Sequence, residues 1–188
     1  MANAAAFHVE PTVVELAQRG DADAFDAIYR QYQPYIAGYL CRLVGNPETA
    51  ADLTQDVFIT AYQAIRRTQP GLNVKSWLFT IATNRAISHH RRWRIRQWLP
   101  LGDIDSASPS DNHTNAVEAR YATREQLNAA MATLPRDHLA CFLLHVRDGF
   151  SYDEIGAMLG ISASTAKVRA FRIRAALASA LMAREEGI

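Results

Sequence analysis

The side chains of this chain that can do chemistry are cations and aromatic rings, crowded into two stretches that contain no acid. Between Val57 and Gly102 there is no Asp or Glu, while Arg66, Arg67, Lys75, Arg85, Arg91, Arg92, Arg94 and Arg96 stand with all three tryptophans, Trp77, Trp93 and Trp98. Between Ile155 and Met182 the cations are Lys167, Arg169, Arg172 and Arg174, again without an acid. Guanidinium and ammonium groups neutralise phosphates, and rings set among them offer faces for bases to stack on, so the pattern suits a nucleic acid. The net charge of +1 conceals it. Outside residues 57–102 and 155–184, seven Lys/Arg face all 19 Asp/Glu, so the rest of the chain is strongly acidic. One basic run can be nothing more than a solvated helix face. Two separate ones point to a bound polyanion.

The chemistry of an enzyme is missing. No P-loop, G-x-G-x-x-G, H-E-x-x-H or nucleophile elbow occurs. His138, Cys141 and His145 share one helical face in an H-x-x-C-x-x-x-H spacing, but a fourth ligand is not evident, and three ligands on one helix rarely hold zinc unaided. His89 and His90 sit beside arginines and read as phosphate neighbours. The expectation is a non-catalytic protein without metal or cofactor.

The elements that must position these cations are helical throughout. Residues 12–19 form a short first helix ending at Gly20. Asp21 caps a second, to about Val44, with Phe25, Ile28, Tyr29, Tyr32 and Ile36 as its apolar stripe and Pro34 expected to kink or break it. Asn46-Pro47-Glu48 opens a third, to about Arg67, with Leu53, Val57, Ala61 and Ile65 inward and Asp52, Gln55 and Asp56 exposed. A fourth, about Val74 to Gln97, is apolar and buried in its first half and basic-aromatic in its second. Residues 100–115, rich in Pro, Gly, Ser, Asp and Asn, form an acidic linker. Helical pattern resumes near Ala116 and stops at Leu134-Pro135, and Pro135 opens a helix ending at Gly149. The fold class is therefore all-α, with two small helical domains at 12–98 and 116–183 around a linker at 99–115.

Residues 150–182 carry the most specific pattern. Ser151 and Glu154 fit a capping box, a short helix follows with Ile155 and Leu159 inward, Gly160 gives a tight turn, and Ser162 caps a long basic helix. Short helix, glycine turn and long basic helix is the helix-turn-helix layout, whose second helix enters the DNA major groove. At roughly 100° per residue, Ala166, Ala170, Ile173 and Leu177 face inward and Ser164, Val168, Phe171 and Arg172 outward, flanked by Lys167 and Arg174 on one side and Thr165 and Arg169 on the other. Ser164 and Arg172 are candidates to read base edges, Val168 and Phe171 to touch thymine methyls, and the flanking cations to hold phosphates.

In this respect the chain resembles the small extracytoplasmic-function (ECF) sigma factors of bacterial RNA polymerase. LPRDHLACFLLHVRDGFSYDEIGAMLGISASTAKVRAFRIRAAL follows the family's C-terminal signature, AADLTQDVFITAYQAI resembles its polymerase-binding helix, and KSWLFTIATNRAISHHRRWR its promoter-melting helix. The likeness covers about residues 12–97 and 116–182. It implies that Asp52, Gln55, Asp56 and Val57 dock on a coiled coil of the largest catalytic polymerase subunit. It implies that Lys75, Trp77, Asn84 and Arg85, with the loop before Lys75, open the −10 element and hold a flipped base, with His89, Arg91, Arg92 and Arg94 on the backbone nearby. The helix-turn-helix would read the −35 element through Ser164, Thr165, Lys167, Val168, Arg169, Phe171, Arg172 and Arg174, and the linker would thread the polymerase. Ser88, Ala166, Val168 and Ile173 depart from the family's usual Asp, Val, small polar residue and Ala, which bears on the −35 preference rather than on the fold. Implied partners are core RNA polymerase, promoter DNA and an anti-sigma factor, because nothing substantial follows residue 182. A stand-alone helix-turn-helix regulator explains 150–182 as well, but not the basic-aromatic helix at 74–97.

No run of the sequence approaches a membrane span, and the start MANAAAFHVEP lacks the basic region and apolar core of a secretory signal. Cys41 and Cys141 read as two buried thiols of a cytoplasmic protein rather than a disulfide.

Overall fold

The computed structural model of the chain describes residues 9–98, 131 and 133–185. Among these, every regular element is helical. Helix α1 spans Pro11–Gln18, α2 Ala22–Val44, α3 Pro47–Ala64 with a 3-10 turn at Ile65–Arg67, and α4 Val74–Trp98. After the linker, α5 spans Arg136–Val146, α6 Tyr152–Leu159 and α7 Ala163–Glu185. The expected linker and the helical pattern between 116 and 130 lie outside the described residues.

Local chemistry sets the helix ends. The Asp21 carboxylate accepts from the Ala24 N–H at 3.0 Å, Asn46 Oδ1 from the Thr49 N–H at 2.8 Å, and Asn73 Oδ1 from the Ser76 N–H at 3.1 Å. Each satisfies a donor that the first turn would leave without a partner. Pro34 does not break α2. It sits on the exposed face, where the carbonyl it fails to bond stays in water, while Tyr32, Ile36, Tyr39 and Leu40 bury the opposite face on both sides of it. Pro135 precedes α5 as its cap rather than entering it, and the helix stops at Val146, three residues before Gly149.

Helix α2 is the spine of the N-terminal half, packed by α1, α3 and α4. Its Ile28, Ile36, Tyr39, Leu40 and Leu43 are fully buried. Removing an aliphatic side chain of this size from water is worth roughly 1.5–3 kcal/mol. The Tyr39 hydroxyl meets Thr83 Oγ1 at 2.7 Å, so this buried phenol is satisfied. In the C-terminal half α5 and α6 pack on α7. The stripe expected inward on α7 is buried: Ala166, Ala170, Ile173 and Leu177 all face α5 and α6.

The two halves share one hydrophobic cluster. Tyr39 packs edge-on against Phe79 at 5.2 Å, and Phe79 against Phe150 at 5.3 Å, so a row of rings crosses from α2 through α4 to the turn before α6.

The helix-turn-helix closes tightly. Ser151 and Glu154 form the reciprocal capping box, Gly160 turns the chain at φ 66°, and Ser162 Oγ caps α7 through the Thr165 N–H at 3.1 Å. Gly156 lies against this turn: a Cβ there would stand 2.7 Å from the Ile161 carbonyl oxygen and 3.2 Å from the Ala163 nitrogen. Backbone cannot yield as a side-chain tip can. Gly156→Ala is therefore expected to destabilise the chain by about 1–3 kcal/mol through overpacking, despite a helix-propensity gain of up to ~1 kcal/mol. Urea unfolding should show a lower midpoint, and a raised midpoint would refute the close approach.

Candidate nucleic-acid interface

Three surfaces bring the candidate residues together. The first is the outer side of α3. Asp52 is exposed together with Gln55 and Asp56, which follow one turn later on the same side of the helix, as helical spacing requires. Val57, next to them in sequence, is fully buried and shapes the helix from inside. Beside the row runs a groove of about 790 Å³ between α2 and α3, lined by Tyr29, Gln33, Cys41, Gln55, Phe58 and Ile59 among others. Tyr29, Ile59 and Tyr62 are each more than 40% exposed here. An acidic ridge with an apolar flank results.

The second surface is α4 and the loop before it. Lys75, Trp77 and Arg85 are half-buried, and Asn84, His89, Arg91, Arg92 and Arg94 are exposed. Arg85 donates to Thr60 Oγ1 at 2.7 Å and is pinned to α3. Trp93 is 49% exposed and stacks on His90 at 6.0 Å. Partial burial, with Arg136, Arg94 and His89 nearby, draws the His90 imidazole below its ordinary pKa, so it is neutral at pH 7. Among the described ion pairs none takes Arg91, Arg92 or Arg94, so their charge faces solvent. At the other end of α4 a pocket of about 460 Å³ opens between α1 and the loop, walled by Val14, Glu15, Tyr32, Leu72, Asn73 and Lys75 among others. Gln18 of α1 fixes the loop, donating to Thr68 Oγ1 at 2.8 Å and to the Gln69 carbonyl at 2.9 Å.

The third surface is α7. Ser164, Lys167, Val168, Phe171, Arg172 and Arg174 are exposed. Val168 and Phe171 present 50% and 69% of their surface, high values for such side chains. The Ser164 and Thr165 hydroxyls both meet Ser162 Oγ, at 2.9 and 2.7 Å, so they also build the cap. Arg169 behaves differently. It turns inward and pairs with Asp137 of α5 at 3.1 Å.

Comparison with known proteins gives these surfaces a family. Residues 28–95 match the model of Sigma-70 region 2, and residues 124–177 that of Sigma-70, region 4. The RNA polymerase sigma factor CarQ of Myxococcus xanthus is 32% identical over 163 residues, covering 85% of this chain and 90% of the relative. The sigma-H factor of Pseudomonas aeruginosa is 30% identical over 179 residues, covering 90% and 92%. The chain belongs to the ECF sigma factors of RNA polymerase. In fold, this sigma factor superposes on the Bartonella quintana sigma factor RpoE, solved with the anti-sigma factor NepR, with a TM-score of 0.64 at 23% identity over 84% of this chain and 96% of that one. It superposes on CnrH, solved with the cytosolic domain of CnrY, with a TM-score of 0.66 at 24% identity over 92% and 97%.

Among the candidate residues, sequence spacing anticipated most of the exposed ones, and three features of these surfaces were not anticipated. Ile59 and Tyr62 lie off the stripe a core requires, and that misfit was the available signal, whereas Tyr29, expected on the inward stripe of α2, is 41% exposed because it sits at the edge of that stripe beside the groove. The contribution of α1 to the pocket through Val14, Glu15 and Gln18 had none, because it depends on packing between distant segments. Nor did the inward turn of Arg169. Of the face-sharing trio His138, Cys141 and His145, two are put to structural use: Cys141 is fully buried, its thiol pushed up to about 11 by desolvation, and His145 stacks on Tyr152 while its Nδ1 meets the Phe150 carbonyl at 2.9 Å. Among the described residues no three His, Cys, Asp or Glu side chains gather closely enough to hold a metal. Both cysteines are free thiols, and no described helix is long and apolar enough to cross a membrane.

The electrostatic outlier is Asp148, only 4% exposed at the turn after α5. Desolvation raises its carboxyl from 3.8 to about 6, against the opposing pull of Arg147, Lys75 and Arg42. A carboxyl whose folded pKa lies above its unfolded one favours folding when protonated. That contribution is complete below pH ~3.8 and is lost as pH rises through about 6. Asp148→Asn should therefore stabilise the protein above pH 7 by roughly 3 kcal/mol or less, with the advantage vanishing near pH 4. Thermal unfolding of both proteins across this range checks it; a constant difference would rule out the desolvated carboxylate as the cause.

Proposed function

We propose that this sigma factor binds core RNA polymerase, directs it to promoters through contacts at the −35 and −10 elements, and starts strand separation there. The observation that carries this reading is the exposed α7 face, where Val168 and Phe171 stand among Lys167, Arg172 and Arg174, with a second group of exposed arginines, Arg91, Arg92 and Arg94, on α4. In this reading Arg172 and Ser164 read base edges, Val168 and Phe171 meet thymine methyls, and Lys167 and Arg174 hold phosphates. Arg169, tied to Asp137, orients α7 on α5 and reaches DNA only by giving up that pair. On α4, Asn84 serves the −10 strand because a side-chain amide can both donate to and accept from a flipped base. The exposed arginines and Trp93 hold backbone and stack bases, and Lys75 with the 68–74 loop walls a pocket of suitable size. The acidic ridge Asp52, Gln55 and Asp56 docks the polymerase, with Ile59 and Tyr62 as its apolar flank.

The proposed units are 12–98, 99–115 and 116–183. The protein works in the bacterial cytoplasm without catalysis of its own and without a cofactor. An anti-sigma factor controls it, by analogy with the solved complexes of RpoE with NepR and of CnrH with CnrY.

In-vitro transcription with core polymerase, with and without this chain, tests the whole reading, and mapped start sites should share upstream elements. Asn84→Ala should slow open-complex formation, read by permanganate reactivity, while leaving polymerase binding intact; equal loss of both would move Asn84 out of the strand-opening role. Arg172→Ala should cost about 1–3 kcal/mol and relax sequence preference at −35. Lys167→Ala should weaken all sequences alike and flatten the salt dependence by about one unit of slope. The opposite assignment of these two effects would show that the groove face is wrongly placed.

A further inference from the structure

The turn between α5 and α6 sits on the N-terminal end of α4, and one side chain belongs to both. Lys75 is a wall of the 460 Å³ pocket. Its ammonium also donates to the Asp148 carbonyl at 2.6 Å and lies 4.4 Å from the centre of the Phe150 ring. The row of rings Tyr39, Phe79 and Phe150 backs this contact. On α2, Gly38 leaves room for Arg147, whose Nη2 would stand 2.8 Å from a Cβ at that position. The 147–150 turn is thus clasped by α2 and α4 together.

The clasp combines one favourable and one unfavourable set of contacts. Buried rings and the cation over Phe150 hold it shut. Inside it, Asp148 Oδ1 stands 3.8 Å from Arg147 Nη1, too far for a hydrogen bond. Asp148 Oδ2 and Arg147 Nη1 are buried and have no hydrogen-bond partner among the described residues. A desolvated, poorly paired carboxylate and guanidinium oppose burial, so the interface is poised to open rather than welded. The Asp148 carbonyl takes one of the three Lys75 N–H donors, the Phe150 ring covers one side of the ammonium, and the Asp148 carboxylate repels an anion at close range, so a phosphate has to compete with the clasp for this cation.

We propose that the 147–150 turn is a built-in competitor for the −10 strand: the C-terminal half occupies Lys75 until the halves part, and strand binding at the α4 pocket and the clasp exclude each other. This rests on reading the Lys75 surface as the −10 contact. The device couples the two DNA-binding halves, because α5 and α6 must leave α4 before Lys75 can serve.

The chain has only two lysines, Lys75 and the exposed Lys167 on α7, so one serves as internal standard for the other. The full-length protein is acylated with limiting N-hydroxysuccinimide acetate, and the two modified peptides are quantified by mass spectrometry. Burial lowers the Lys75 pKa, which would speed acylation of an accessible amine, so slow labelling reports occlusion. Lys75 should label about tenfold more slowly than Lys167 in the free protein, and Arg147→Ala, which leaves Asp148 buried without its cation, should bring the two rates together. Adding purified core polymerase to the unmutated protein should do the same, so the result does not hinge on how the variant folds. A fluorescent pool of random single-stranded DNA 12-mers should bind Arg147→Ala about fivefold or more tightly than the parent, and should protect its Lys75 again. Equal labelling of the two lysines in the free protein overturns the proposal, as does freed Lys75 with unchanged strand affinity. If Lys75 is freed and neither protein binds the strand, with or without polymerase, the −10 reading itself falls and takes the proposal with it. If strand binds while Lys75 stays clasped, only the competition falls.

Discussion

A guanidinium group without a carboxylate inside its own protein must be balanced by water or by an anion from outside, and this constraint organises the molecule. Helix α4 holds no acid and α7 none before its last residue, Glu185, so most of their cations have nothing on their own helix to pair with. Tertiary packing could have supplied partners from other helices. It does so for Arg169, which meets Asp137, and for Arg85, whose partner is the uncharged Thr60. Among the described ion pairs it does not do so for Arg91, Arg92 or Arg94, and an uncompensated row of this kind attracts a polyanion and releases its counterions on binding. The acids collect elsewhere, and the exposed carboxylates of α3 present a second sign of charge on a separate surface.

Helix α4 shows how one element satisfies two incompatible solvents. Leu78, Phe79 and Ala82 are fully buried in the shared cluster, whereas Arg91, Arg92, Trp93 and Arg94 are exposed. The buried half fixes the direction of the helix, so the cationic half projects from a rigid base. A binding group held on a packed helix loses less conformational entropy on contact than one on a loop. The same division appears in α7, where four small or aliphatic side chains seat the helix and the opposite face carries the exposed valine, phenylalanine and arginine.

Much of this was legible in the sequence because it depends on local rules. Helix ends followed from Asp21, Asn46, Ser151 and Ser162, each of which caps through its own side chain three residues ahead. The inward stripe of α7 followed from 3.6-residue spacing. What the sequence did not reveal depends on contacts between distant segments. Nothing in the neighbourhood of Arg169 distinguishes it from Arg172, and only the approach of α5 separates a paired cation from an exposed one. Pro34 failed as a helix breaker for a related reason: burial on the far side of α2 outweighs one missing backbone hydrogen bond when the free carbonyl stays in water. Val57 lies within the docking segment by resemblance and within the core by periodicity, and the fold sides with periodicity.

The shared cluster between the halves follows from the same balance of forces. Each half is small, and a small domain buries too little apolar surface to be comfortable alone. Phe79 and Phe150 would both expose ring surface if the halves separated, so closure is favoured whenever neither half has another partner. Yet under the proposed function, with two surfaces laid along one promoter, that closure cannot become too strong. A buried carboxylate with one oxygen unsatisfied, beside a guanidinium at 3.8 Å, limits it. Replacing that pair by well-packed apolar side chains would strengthen the interface by ordinary core logic. The imperfect pair therefore makes physical sense as the element that keeps the halves separable, and Lys75, shared between pocket and clasp, is the side chain whose surroundings separation would change.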